Sequence, residues 1–102
     1  MQLRFSSALW VWDGPAAWHF VTTTIAVTRA LRDVAPLIGK NWGTVPVTVQ
    51  LDGARWETSV FYDSKRQRYL LPVKAAMRKR LGLVAGRRLT ITLEVVPRSP
   101  GL

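Results

Sequence analysis

The chain has no cysteine, one histidine and only six carboxylates in 102 residues. Without cysteine there are no disulfide frameworks, thiolate zinc sites or cysteine nucleophiles, which suits a reducing cytoplasm. One histidine and scattered carboxylates offer no metal-ligand spacing, so neither a metal nor any other cofactor is expected. No apolar run approaches the ~20 residues that a membrane helix needs. The opening MQLRFSSALWVWDG has no basic segment leading into a continuous apolar run, so no signal peptide is expected. A cytoplasmic protein off the membrane is predicted. Oligomeric state stays open between monomer and homodimer. Hydrophobic residues make up 48% of the chain, which excludes global disorder and gives one domain, 1–102, enough apolar surface for its own core.

What is present is positive charge. The net charge of +9 is lopsided: residues 1–52 balance at +1, with four basic and three acidic residues, while residues 53–102 carry +8, with eleven and three. Such asymmetry predicts a basic face, and basic faces attract polyanions such as nucleic acid. Solubility alone is the competing explanation.

Alternation dominates the pattern. In QLRFSSALWVW, Leu3, Phe5, Leu9 and Val11 share one face at period two, as in a half-buried strand. Asp13–Pro15 marks a turn, and WHFVTT predicts a second strand. The period then changes. Val27, Leu31, Val34 and Ile38 form the stripe of an amphipathic helix, with Pro36 weakening its last turn and Gly39 just beyond. TVPVTVQL puts Val45, Val47, Val49 and Leu51 on one face of the next strand. Asp52-Gly53 then predicts a tight hairpin into RWETSVFY, because such turns want positive φ. RYLL predicts a short strand, Pro72 a helix start, and Val73, Met77 and Leu81 one side of that helix. Gly82 stops it, Gly86 turns, and Leu89, Ile91, Leu93 and Val95 alternate in a final strand.

The order is ββαβ twice, a possible internal duplication with pseudo-halves 1–52 and 53–97 and a loose tail over 98–102. Six antiparallel strands and two short helices close most economically into a small β-barrel, which removes exposed edges. The predicted fold is mainly β: a closed six-stranded antiparallel barrel.

Several runs carry a family resemblance: AWHFV, WGTVPVTVQLDG, WETSVFYD and YLLPVKAAMRKRLGL with Gly86. Together they span nearly the whole chain in order, and it resembles the bacterial family known as domain of unknown function nineteen-oh-five. The resemblance implies a small β-barrel and no particular activity. The family pattern has an acidic residue after the glycine matching Gly86, where this chain has Arg87. LPVKAAMRKRLGLVAGRRLTITLEV is also similar to the swapped-hairpin half of AbrB-type regulators and MazE-type antitoxins, in which two chains build a DNA-binding barrel. The matching residues Leu71, Pro72, Arg78, Leu81, Gly82, Leu83 and Gly86 are mostly scaffold, and shared scaffold does not transfer function.

Two groups of residues are candidates for binding. The basic group is Lys65, Arg66, Arg68, Lys74, Arg78, Lys79, Arg87 and Arg88. On a helical wheel Lys74 and Arg78 flank the Met77–Leu81 stripe, Arg80 lies on its other side and Lys79 points away. Cations that collar a buried face suit long side chains lying over the core with wet heads. A recognition helix would gather base-reading side chains on one outward face. Phosphate contact needs only dense positive charge, so the eight residues remain candidates for a nucleic-acid surface. The aromatic group is Trp10, Trp12, Trp18, Trp42 and Trp56. Large rings often pack cores and barrel ends. Alternatively they line a pocket at one barrel end for a small flat apolar ligand or a stacked base, and Trp42 in GKNWG is the most exposed candidate.

Catalysis finds little support. His19 lies in a strand, Ser59 lacks a strained elbow, and the spacing of His19, Glu57 and Asp63 demands no convergence. The sequence favours a binding or interaction module over an enzyme: a small-ligand or protein-binding barrel, or alternatively a nucleic-acid-binding one.

Overall fold

Strand alternation becomes the inside and outside of a closed ring. The computed structural model describes residues 1–38 and 43–95. Its elements are β1 (Gln2–Val11), β2 (His19–Thr22), α1 (Ile25–Ile38), β3 (Thr44–Leu51), β4 (Ala54–Asp63), β5 (Arg68–Pro72), α2 (Ala75–Leu81) and β6 (Arg88–Glu94). All neighbouring strands are antiparallel, in the ring order β1-β2-β5-β4-β3-β6, with β6 closing on β1. This is the predicted six-stranded barrel. The ring order reads the same when β1, β2 and β3 are exchanged with β4, β5 and β6.

Inward residues follow the pattern of the sequence. Leu9, Val21, Val45, Val49, Val60, Leu71, Ile91 and Leu93 are all essentially inaccessible to water. They fill the barrel, so its interior is a packed core. The hairpin at Asp52-Gly53 forms as its chemistry demands, with φ of 50° and 81° at the two positions. Pro46 lies within β3 opposite Ser59, beyond the stretch Thr48–Gln50 that pairs with β6, where no second neighbour needs its missing N–H.

Helix α1 plugs the ring. Val27, Leu31, Ala35 and Ile38 are buried in the core cluster. The Thr24 hydroxyl accepts from the Val27 N–H at 3.3 Å, which satisfies one otherwise unpaired first-turn donor. Next to it the buried Thr23 hydroxyl accepts the Tyr69 N–H of β5 at 3.1 Å and meets the Thr28 hydroxyl of α1 at 2.7 Å. That one oxygen joins strand and helix.

Two expectations need correcting. Pro72 does not open a helix: it ends β5 opposite Phe20, and the ladder continues through Val73 N–H to His19 O at 3.0 Å. Helix α2 starts later, with Lys74 as its N-cap, and stops at left-handed Gly82 as predicted. Val11, in phase with Leu9, is not buried but 43% exposed, because β1 runs past the rim of the barrel there. Gly39, the expected helix stop, the GKNWG stretch before Gly43, and the tail 98–102 lie outside the described residues.

Candidate functional site

An antiparallel barrel usually presents a polar outer wall. Strand β6 obeys, alternating buried Leu89, Ile91 and Leu93 with outward Arg88, Thr90, Thr92 and Glu94. The opposite arc, β1-β2-β5-β4, does not. Because Leu9, Val21 and Val60 point inward, Trp10, Phe20 and Phe61 point outward. Trp10 is directly opposite Phe20 in the β1–β2 register. Their rings sit 5.3 Å apart, and Phe61 meets Phe20 edge-on at 5.5 Å. Phe20 is buried although it lies outside the barrel. The Trp10 indole N–H donates to the Thr22 hydroxyl at 2.8 Å, which fixes the ring's orientation.

Past the rim the chain turns back between β1 and β2. Trp12 N–H donates to Trp18 O at 2.7 Å, so two tryptophans face each other across the loop. Both remain exposed, at 43% and 53%. Trp18 reaches Phe20 at 6.1 Å between centroids. Trp12 lies flat on Gly14: a Cβ there would come within 1.8 Å of the indole. Only glycine admits the ring in this position. With Phe20 and Phe61, the three tryptophans wall a cleft of about 800 Å³ that opens on the outer surface.

The rim of the cleft is basic. The Arg66 guanidinium lies 4.3 Å above the Trp10 ring and donates to Asp63 at 2.6 Å, while Lys65 N–H donates to the other Asp63 oxygen at 3.0 Å. Arg66 is thus held by a cation–π contact and a charge-assisted hydrogen bond together. The Arg66 guanidinium holds the Asp63 carboxyl below the usual carboxylate range, outweighing slight desolvation in the other direction. A depressed carboxyl pKa stabilises the pair above the ordinary carboxylate range, and that contribution is lost as pH falls through the folded value. An NMR titration should therefore place Asp63 below a free aspartate, and Arg66→Ala should move it back up. An unchanged value in that variant would mean Arg66 does not hold the carboxylate.

A second hollow, of about 360 Å³, lies on the other side of Trp18 and is lined also by His19, Lys74 and Arg78. Arg78 is anchored by donating to Val73 O at 2.8 Å. His19 Nδ1–H donates to Ala17 O at 2.9 Å, which fixes that ring too. Trp18 is therefore a wall shared by both hollows.

A family model, described as Domain of unknown function (DUF1905), matches residues 5–93, from within β1 to within β6. The chain belongs to the DUF1905 family. The match covers the barrel and both helices, so the DUF1905 domain and the folded unit coincide. No curated protein matches the chain in sequence.

The DUF1905 barrel gathers some of the sequence candidates and scatters others. Trp10, Trp12 and Trp18 meet at the cleft with Lys65 and Arg66, and Lys74 and Arg78 flank the adjoining hollow. Trp56 does not join them: it sits opposite Val49 in the register of β4 with β3, half-buried and packed on the core. Trp42 lies outside the described residues. Arg68 turns back onto its own loop, donating to Gln67 O at 2.9 Å. Arg87 faces Asp52 at 3.6 Å, Arg88 donates to Ser6 O at 3.3 Å, and Lys79 stands exposed on α2. The cations thus form no single face. The cleft lies on the outer wall at the end of β1, not inside the barrel. Sequence reasoning missed Phe20, Phe61 and Gly14. Alternation held a signal for the first, since Trp18 and Phe20 fall two apart and opposite to inward Val21. The role of Gly14 was hidden because DGP reads simply as a turn.

Among the described residues no three His, Asp or Glu side chains cluster as metal ligands. Nor is any described helix long and apolar enough to cross a membrane.

Proposed function

We propose that this DUF1905 protein is a binding module, not an enzyme, and that its outer cleft takes a flat ligand by stacking. The observation that carries the reading is Trp12, an exposed indole seated on a glycine whose replacement would displace the ring. Exposed aromatic rings are costly in water, and Trp12 is 43% exposed while resting on Gly14 at the wall of the cleft. A ring packed against the backbone on one side has fewer orientations to lose on binding, which favours affinity. Trp18 opposite it supplies a second face, and a cleft of about 800 Å³ lies within the range of small-ligand sites.

Indole N–H resonances test this directly with adenosine as a flat, uncharged probe. Trp12 and Trp18 should shift on titration while half-buried Trp56 stays still. Gly14→Val should displace the Trp12 ring and weaken the response at least about fivefold, the low end for loss of one stacked ring, with the melting temperature little changed because the site is in a loop. Equal shifts at Trp56, or none at any tryptophan, would overturn the reading.

A further inference from the structure

The two hollows on either side of Trp18 are complementary in what they offer. The larger is walled by rings and rimmed by Lys65 and Arg66; the smaller is bordered by Lys74 and Arg78. Four cations therefore flank the pair. Against them stand two carboxylates, Asp13 and Asp63, and Asp63 already accepts from Arg66. Arg66 and Arg78 are pinned by their contacts with Asp63 and Val73 O, so their charge has fixed positions along the surface. A flat neutral molecule would use the rings and leave these cations idle. A free phosphate would use the cations and leave the rings idle.

We propose that the two hollows form one track for single-stranded nucleic acid, its bases stacking on Trp12 and Trp18 and its phosphates meeting Lys65, Arg66, Lys74 and Arg78. The proposal rests on the flat-ligand reading above and names the ligand class. Unpaired bases expose π-faces that aromatic side chains take without regard to sequence, and an adjoining basic groove tracks the backbone. Duplexes bury both faces of their bases and offer nothing to Trp12 or Trp18. Charge alone would not choose this path. Arg87 and Arg88, equally basic, engage Asp52 and Ser6 and line neither hollow.

The test is fluorescence anisotropy of labelled oligopyrimidine strands, DNA and RNA, titrated with the intact protein, beside the adenosine titration already described. Binding should appear at micromolar protein and weaken about twenty- to fiftyfold between about 50 and 200 mM salt, as three or four single-strand phosphate contacts require. Trp18→Ala and Lys74→Ala should each weaken it, the former by about five- to a hundredfold, as the loss of one stacked base implies. Arg88→Ala should match wild type, and a duplex of the same length should compete poorly. Preference between the DNA and RNA strands would tell which backbone the track takes. Tryptophan shifts with adenosine but no tighter, salt-sensitive binding of the strands would overturn the nucleic-acid track and leave the flat-ligand cleft standing. Equal binding of duplex, or an unaffected Lys74→Ala, would overturn it as well. No response to adenosine or to the strands would remove both.

Discussion

Leu31→Ala should lower the unfolding free energy by about 3 kcal/mol, whereas Leu37→Ala on the same helix should change it by less than about 0.5 kcal/mol. Leu31 is wholly buried where α1 meets the barrel, and Leu37 is 79% exposed. Truncating a buried leucine removes its transfer free energy and leaves a cavity that the surrounding strands fill only in part. In a domain of about this size each kcal/mol is worth roughly 4–8 °C. The first variant should therefore melt about 12–24 °C below wild type and the second almost with it. Denaturant melts of the pair separate a plug that holds the ring shut from a helix that merely rests on it. Equal, small losses would mean α1 contributes little to the barrel.

The second large effect is expected at Thr23. Thr23→Val keeps the shape of the side chain but removes an oxygen that bonds both β5 and α1. The Tyr69 N–H loses the hydroxyl that accepts from it at 3.1 Å, and Thr28 loses a contact at 2.7 Å but still donates to Thr24 O at 2.7 Å. Both contacts are buried, so water cannot substitute. A lost partner costs a buried polar group about 1–3 kcal/mol, and that is the loss expected here, because the Thr28 hydroxyl stays bonded to Thr24 O. Thr23→Ser keeps the oxygen and gives up only a methyl group, about 1 kcal/mol. Serine should thus be more stable than valine at this position in urea melts. Valine equal to wild type would show that the hydroxyl bonds are dispensable and that the strand–helix joint is held by packing.

The charge at the cleft and the charge across the rest of the surface have different physical standing. Arg66 is fixed by a ring beneath it and a carboxylate beside it, while Arg87 meets Asp52 at 3.6 Å with both side chains about half exposed. Exposed pairs of that second kind contribute little. The +8 excess in residues 53–102 is therefore not one patch. Chain order counted the cations together, and the ring order dispersed them.

The strands, their chain order and most of the core follow from the sequence by itself, Val11 past the rim being an exception. Period-two runs such as Val45, Val47, Val49 and Leu51 have one low-energy arrangement, with the apolar face turned inward. Asp52-Gly53 has a backbone preference that any structure must respect, and a stripe at Val27, Leu31, Val34 and Ile38 can be buried only as a helix. Pro72 shows where local reading stops. Its chemistry suits a first helical turn, but it equally suits a strand end whose N–H is not needed, and pairing with Phe20 decided for the strand. The cleft belongs wholly to tertiary structure. Trp10, Phe20 and Phe61 come from three strands and meet only because ring closure places β1, β2, β5 and β4 side by side with their outward faces aligned. Trp56, indistinguishable from them by composition, falls on the inward phase of β4 and joins the core. Alternation tells which residues share a face of one strand; which faces meet is settled by long-range pairing, and that depends on the free energy of the whole ring.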